Sequence, residues 1–335
     1  MTIRELSKIT GFSPSAISIV LNGKKGVSDE TREKIRKALE KYDYHPSPKR
    51  AAAERNVLVM KYYKNGFFVE ENQGFISMII DAIEGQLRKE NIGMTLTVMK
   101  SDLEQGLKNL DYEKYAGMIM IGTELRREEY QLMGDIRIPF VVVDNNIPSH
   151  SYSSVCMNNY ENVRLALLYL RKCGHRQIGF LGSSMDTENF REREEAFRKL
   201  VHELELSFDE QHDYKLNPTM IGTHDDFLAH LEGDVTLPSA FFAENDTIAL
   251  GAMKALKEKG YKIPRDVSII GFDDIPYASI SSPALTTVHV QRKLIGRQAV
   301  LQLLQLISDS GFSTMKTELT GRLVVRDSVR VLPQP

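Results

Sequence analysis

The chain has 335 residues, 42% of them hydrophobic and 26% charged, and a formal net charge of -2 at pH 7. That length supports two or three domains with their own cores, and the composition excludes a disordered or collagen-like chain. No apolar run approaches the ~18 residues of a membrane-spanning helix, and two cysteines are too few for a disulfide framework or a zinc site.

Cys156 and Cys173 both fall in apolar segments and are expected in the core, reduced. The opening Met1-Thr2-Ile3-Arg4-Glu5 does not lead into an apolar signal core, so the sequence predicts a cytoplasmic protein. The small net charge hides an asymmetry. Residues 1–56 carry 12 Lys/Arg and 7 Asp/Glu, a net of +5, whereas the remainder carries 31 and 38, a net of -7. A basic head on an acidic body suits a polyanionic partner, although a solvated charged surface would look the same by charge alone.

In chain order, Thr2 is a good N-cap, and Glu5 three residues later completes a capping box. Ile3, Leu6 and Ile9 share one face of the short helix that follows, and Gly11 ends it. Ser13 caps a second helix with Pro14 at its first position, where no N–H is needed. Its apolar face is Ile17, Val20 and Leu21, while Ser15, Ser18 and Ile19 point elsewhere; Asn22-Gly23 ends it. Ser28, followed by Asp29 and Glu30, starts a third helix whose Ile35, Ala38, Leu39 and Tyr42 can close a small core. Two short helices joined by a tight turn, with a third in support, form a helix-turn-helix plan. A generic three-helix bundle has no reason to put small polar residues on its middle helix. A helix entering the major groove does, because short side chains allow close approach to phosphates and base edges.

The run Thr2-Ile3-Arg4-Glu5-Leu6-Ser7, Gly11-Phe12-Ser13, Ile17-Ser18, Val20-Leu21-Asn22-Gly23, Val27-Ser28, Thr31-Arg32 and Tyr44-His45-Pro46 closely resembles the LacI/GalR family of bacterial repressors, without gaps over about 45 residues. The resemblance implies base contacts from Pro14, Ser15 and Ile19, and phosphate contacts from Thr2, Ser13, Ser18 and Asn22. Ile19 departs from the polar or basic side chain usual in the family. It cannot donate to guanine and suits a thymine methyl.

Residues 46–56 read as a hinge. Ser47, Pro48 and three alanines favour a helix too short to stand alone. The family wedges a leucine of such a hinge helix into the minor groove. Here Ala53 takes that place in a linker about four residues shorter, and Lys49 and Arg50 are the phosphate contacts.

From residue 57 short apolar strands alternate with helices. One set has strands at 57–62, 94–99, 117–121 and 140–143 and a helix at 75–90; a second has strands at 154–157, 178–181, 240–243 and 268–271 and helices at 159–173, 192–204 and 246–259. Such alternation builds parallel sheets with helices on both faces, and a ligand site at the strand carboxyl ends. The expected fold is an N-terminal all-α helix-turn-helix domain plus an α/β domain of two parallel-sheet lobes. No nucleotide-binding glycine loop, nucleophile elbow or HExxH zinc motif is present, so no enzyme, cofactor or metal site is expected. His175 lies at a helix end, where partial positive charge is favourable.

The body also resembles the family's periplasmic-binding-protein-like sensor, in the stretches Gly174-His175-Arg176, Asn245-Asp246-Thr247-Ile248-Ala249 and Gly271-Phe272-Asp273-Asp274. It implies a head at 1–45, a hinge at 46–56 and a sensor at 57–335. Lobe one would hold 57–158 and 292–316, and lobe two 159–288 and 320–335, with crossings near 158–161, 288–292 and 317–321. By family position the effector residues are Phe75, Asp144, Arg193, Asn245 and Asp273, helped by loops 64–74, 122–127, 183–191 and 217–226. Their chemistry suits a polyol: carboxylates and an amide for hydroxyls, a guanidinium fork, and an apolar face. By residue type alone, Asp273 also fits a turn cap, Asn245 a helix cap, and Phe75 a core position. The expected partners are a pseudo-palindromic DNA operator, a second copy of the chain, and a small effector, with no membrane. A sugar is the first choice of effector; a nucleobase or a partner phosphoprotein is the alternative. The chain stops soon after its last strand-like segment, which favours a dimer over a tetramer. A solute-binding transport protein would not need the basic head.

Overall fold

The computed structural model describes residues 3–21, 26–42, 44, 56–64, 74–100, 102–309 and 313–333. Thr2, Asn22, Lys49, Arg50 and Ala53, with nearly all of the hinge, lie outside them.

The head is three helices, α1 (Ile3–Thr10), α2 (Pro14–Leu21) and α3 (Asp29–Lys41). Gly11, at φ 75°, ends α1, its N–H bonded to the Ser7 carbonyl at 2.9 Å. The hydroxyls of Ser13 and Ser28 accept the Ala16 and Thr31 N–H groups, each at 3.2 Å, which starts α2 and α3. Leu6, Ile17, Val20, Ile35 and Tyr44 form the core. Two expected core residues are elsewhere: Ile9 is 55% exposed and Tyr42 37% exposed. Helix α1 is too short to bury a third turn, and the chain after α3 turns back to insert Tyr44 instead.

Two six-stranded sheets make up the body. The first holds β1 (Asn56–Tyr63), β2 (Gly93–Lys100), β3 (Gly117–Ile121), β4 (Phe140–Val143), β5 (Ser154–Met157) and β11 (Lys316–Leu319), in the order β11-β5-β4-β3-β1-β2, all parallel. The second holds β6 (Ile178–Ser183), β7 (Asp213–Leu216), β8 (Ala240–Ala243), β9 (Ser268–Asp273), β10 (Thr286–His289) and β12 (Arg322–Val324), in the order β12-β10-β9-β8-β6-β7. Only β12 runs antiparallel. Val57, Leu58, Val59 and Met60 are all fully buried, as a strand covered on both faces requires.

The covering helices are α4 (Phe75–Lys89), α5 (Leu103–Asn109), α6 (Asn159–Lys172), α7 (Glu188–Glu203), α8 (Met220–His230), α9 (Asp246–Glu258), α10 (Pro276–Ile280) and α11 (Arg292–Ser308). The chain passes between sheets after β5, after β10 and between β11 and β12. Residues 154–157, grouped by sequence with the second set of strands, belong to the first sheet: Val142 pairs with Ser154 and Val143 with Val155. A four-residue apolar run carries no sign of which sheet it joins. Cys156 and Cys173 are buried and free.

Candidate functional site

Ser13, Pro14 and Ser15 are exposed at the start of α2, and Ser18 and Ile19 are half-buried on the same helix. The core face of α2 is Ile17 and Val20. Ser13 Oγ and Ser15 Oγ lie 3.1 Å apart. The structure therefore gives α2 an open end of short side chains. Ile19 Cδ1 lies beside Gly26, 3.4 Å from where a Cβ on that glycine would stand.

In the body, all five expected effector residues line one cleft between the lobes, together with Thr123, Met157, Thr187, Asn189 and Phe190. Loops 122–127 and 183–191 contribute to it; among the described residues the 217–226 segment does not, because most of it is helix α8 packed against α9. The cavity there holds about 20 Å³, room for a single water. Thr187 also lines a separate hollow of about 240 Å³, with Lys64, Glu124 and Arg126 from one lobe and Ser184, Met185 and Asp186 from the other. The lobes must part to admit a ligand to the inner cleft.

Asp144 follows β4 and Asp273 ends β9, and both have positive φ, 65° and 110°. Such backbone costs roughly 1–3 kcal/mol for a non-glycine residue and concentrates at functional sites. Asp144 accepts the Thr123 hydroxyl at 2.6 Å and the Asn189 amide at 3.2 Å. Burial pushes its carboxyl up to about 7, although Thr123 and Arg193 pull the other way. Asp273 does not cap a turn. Its Oδ1 makes no hydrogen bond, and burial raises it to about 6 against Arg193 and Arg292. The turn after β9 is held instead by Asp246 Oδ2, which accepts the Ile275 N–H at 2.9 Å.

Arg193 is 4% exposed. Nε donates to Asn159 Oδ1 at 2.9 Å and Nη1 to the Glu244 carbonyl at 2.7 Å, while Nη2 lies 3.7 Å from Asp273 and the guanidinium sits 3.9 Å from the Phe272 ring centre. Asn245 and Phe75 each do two jobs. Asn245 Oδ1 caps α9 through the Ile248 N–H at 2.8 Å, and Phe75 is 2% exposed within the main core, yet both line the cleft.

Sequence reasoning missed the groups that tie the lobes together. Glu188, 4% exposed at the start of α7, takes both forks of Arg127 at 2.9 and 2.7 Å, the Tyr130 hydroxyl at 3.2 Å and Arg191 at 2.6 Å. Arg127 and Tyr130 belong to a 3₁₀ segment of the first lobe, Arg127–Asp135. Asn146 donates across to Glu192 at 2.8 Å, and Asn189 to the Asp144 carbonyl at 2.9 Å. In the sequence, Glu188 and Glu192 sit in a charged run that looks like a solvated helix face. Sequence reasoning also favoured a partly positive His175, and this is corrected. The ring is fully buried between Ser239 (2.9 Å) and the Arg330 carbonyl (3.1 Å), and burial lowers its pKa, which disfavours a charged ring.

Comparison with known proteins decides the family. Residues 2–47 match the model for bacterial regulatory proteins of the lacI family, and residues 167–329 match a periplasmic binding protein-like domain. The chain belongs to the LacI family of transcriptional regulators. It is 29% identical over 344 residues to the HTH-type transcriptional repressor PurR of Haemophilus influenzae strain PittEE, covering 98% of each chain. It is 28% identical over 341 residues to the PurR repressor of Vibrio atlanticus strain LGP32, covering 99% of each. Among solved structures, the regulator CelR in complex with cellobiose matches at TM-score 0.72 and 22% identity, over 98% of this chain and 99% of that one. The lac repressor dimer bound to operator and the anti-inducer ONPF matches at 0.73 and 21%, with the same coverage. These structures share the fold. The LacI-family chain is thus a DNA-binding transcriptional repressor with an effector-binding domain, and not an enzyme. No helix among the described residues is long and apolar enough to cross a membrane.

Proposed function

We propose that residues 1–45 read a pseudo-palindromic operator, that 46–56 are the hinge, and that 57–335 sense a carbohydrate held between the lobes. In the head, Pro14, Ser15 and Ile19 face base edges, and Ser13 and Ser18, with Thr2, Asn22, Lys49 and Arg50, face phosphates; Ala53 sits at the minor groove. Phe75, Asp144, Arg193, Asn245 and Asp273 hold the effector. The observation that carries this reading is the convergence of those five, from both lobes, on one cleft rich in hydroxyl-matching groups. Polyols need many acceptors and donors at fixed angles, and two carboxyls and two amides there provide them. Two of the structural relatives hold sugars, one cellobiose and the other ribose.

Two copies pair through their sensor lobes and set two α2 helices about one DNA turn apart. Support comes from exposed apolar side chains: Leu96 and Val98 on the edge strand β2, and Ile221, Tyr277 and Ile280 on the second lobe. Effector binding favours one lobe arrangement and changes the spacing of the heads, with a coupling of ~1–3 kcal/mol. The protein works where the DNA is, in the cytoplasm.

A thermal-shift screen with sugars, sugar phosphates and nucleobases tests the effector class, since a ligand that binds only the native state raises its melting temperature. A sugar or sugar derivative should raise it and change operator binding. A response confined to nucleobases would overturn the carbohydrate reading.

A further inference from the structure

Arg292, the first residue of α11, is 4% exposed, yet its guanidinium is almost unpartnered. Nη2 donates to the Asp274 carbonyl at 2.9 Å; Nε and Nη1 are buried with no hydrogen-bond partner. Among the described residues no carboxylate oxygen comes within ion-pair distance of it. Its charge lies over the ring of Phe75, 5.5 Å from the centre, directly behind the cleft lining. Asp273 feels its charge without hydrogen-bonding to it, and a buried cation with two unpaired donors is costly, so its retention calls for a partner that arrives.

Two helices open at the same spot. Helix α4 begins with Phe75 and α11 with Arg292, and they run side by side: a Cβ on Gly296 would meet the Ile79 carbonyl at 2.5 Å and the Ile83 nitrogen at 3.2 Å. Neither has an acidic residue in its first turn or a side-chain cap, and on α11 the Arg292 and Leu294 N–H groups turn back onto the Val290 and Gln291 carbonyls, each at 2.9 Å. Two parallel positive helix ends and an unpaired guanidinium make a niche that matches an acceptor-only, negatively charged group. Arg193 is more committed, with Nε on Asn159, Nη1 on the Glu244 carbonyl and Nη2 beside Met157 Sδ and Asp273.

We propose that the effector is an acidic sugar, whose carboxylate or phosphate pairs with Arg292 Nε and Nη1 while its hydroxyls meet Asp144, Asn245 and Asp273. This rests on the carbohydrate reading above and narrows it. The cleft is too small for any sugar as it stands, so Phe75 and Arg292 must shift as the lobes part, which brings the guanidinium into the site. A rival arrangement has Arg292 simply swing onto the orphaned Asp273 Oδ1 when the lobes move, with no charge on the ligand.

The test is titration calorimetry of the full-length protein with matched sets: glucose, glucuronate and glucose 6-phosphate, and the galactose equivalents. One acidic member should bind at least ~10-fold tighter than its neutral parent, and which one does so separates carboxylate from phosphate. Arg292→Gln should lose ~10- to 100-fold for that ligand and leave the neutral parent unchanged, while Arg292→Lys keeps part of the preference. The unliganded Arg292→Gln protein should melt at or above the wild-type temperature, because a buried charge with two unpaired donors has gone. Neutral sugars binding as tightly as acidic ones, an acidic preference that survives Arg292→Gln, or a large drop in the variant's melting temperature would overturn the proposal. If no sugar of either kind binds, the carbohydrate reading itself falls and takes this proposal with it.

Discussion

Glu188→Gln isolates the contact that holds the cleft shut. The glutamate is 4% exposed, and its two oxygens receive Arg127 at 2.9 and 2.7 Å, Tyr130 at 3.2 Å and Arg191 at 2.6 Å. Glutamine keeps the shape but removes the charge and replaces one acceptor oxygen with an N–H₂ facing guanidinium donors. A hydrogen bond to a charged group contributes ~1.5–3 kcal/mol. Arg127 is half exposed, and Arg191 is on the same helix as Glu188, so its bond is kept whether the cleft is open or shut. Discounting the first for solvent screening and omitting the second leaves ~2 kcal/mol across the lobes, about 30-fold in the opening equilibrium. Hydrogen exchange reads that equilibrium residue by residue. In the unliganded variant, amides at 183–190 and 122–127 should lose about 30-fold in protection, while β1 and β8, deep in the two cores, keep theirs. Unchanged exchange at the cleft, or an equal loss in β1 and β8, would refute the idea that these contacts clasp two independently stable lobes.

Three further outcomes follow from the same geometry. Asp273→Ala should abolish the effector's influence on operator binding and leave a folded, DNA-competent protein, measured by fluorescence anisotropy on labelled duplex; a normal response would misplace the pocket. Asp144, Asp273 and Glu244 have native pKa values raised by burial to about 7, 6 and 8. The folded form therefore holds protons that the unfolded chain has released, and their stabilising contribution is full at low pH and lost as pH rises through 6 to 8. The unliganded protein should melt at least ~3 °C higher at pH 6 than at pH 8, from a difference on the order of 3 kcal/mol; a flat or inverted profile would show these carboxyls ionised throughout. Val98→Asp on the edge strand should yield a folded monomer by sedimentation velocity, with a matching fall in operator affinity, and an intact dimer would move the interface elsewhere.

Much of this was legible in the residues. Serine caps before α2 and α3, and the glycine after α1, mark the head because they satisfy helix-end N–H groups and a left-handed turn, both local requirements. That Asp144, Asn245 and Asp273 line one cleft was legible from family position, together with the rule that parallel sheets open their clefts at the strand carboxyl ends. What stayed hidden depends on distant partners. Helix α11 and strands β11 and β12 are amphipathic or polar segments without a distinctive period, and Lys316–Leu319 becomes a strand only by pairing with β5. The lobe clasp was invisible because Arg127 and Glu188 are 61 residues apart. Nothing in the sequence singled out Arg292, because its burial depends on packing against Phe75, more than 200 positions away. Thr2, Asn22, Lys49, Arg50 and Ala53 remain assignments from sequence.

The central claim is best tested on DNA. Binding of the full-length protein to palindromic duplexes from the region upstream of its own gene is compared with binding to scrambled duplexes at moderate salt, with and without the effector. Wild type should prefer one such duplex by at least ~10³-fold and change that grip when the effector is added, while Ser15→Ala and Ile19→Ala lose specific affinity and keep scrambled-DNA binding. Equal affinity for specific and scrambled DNA in wild type, or equal losses on both in the variants, would contradict it.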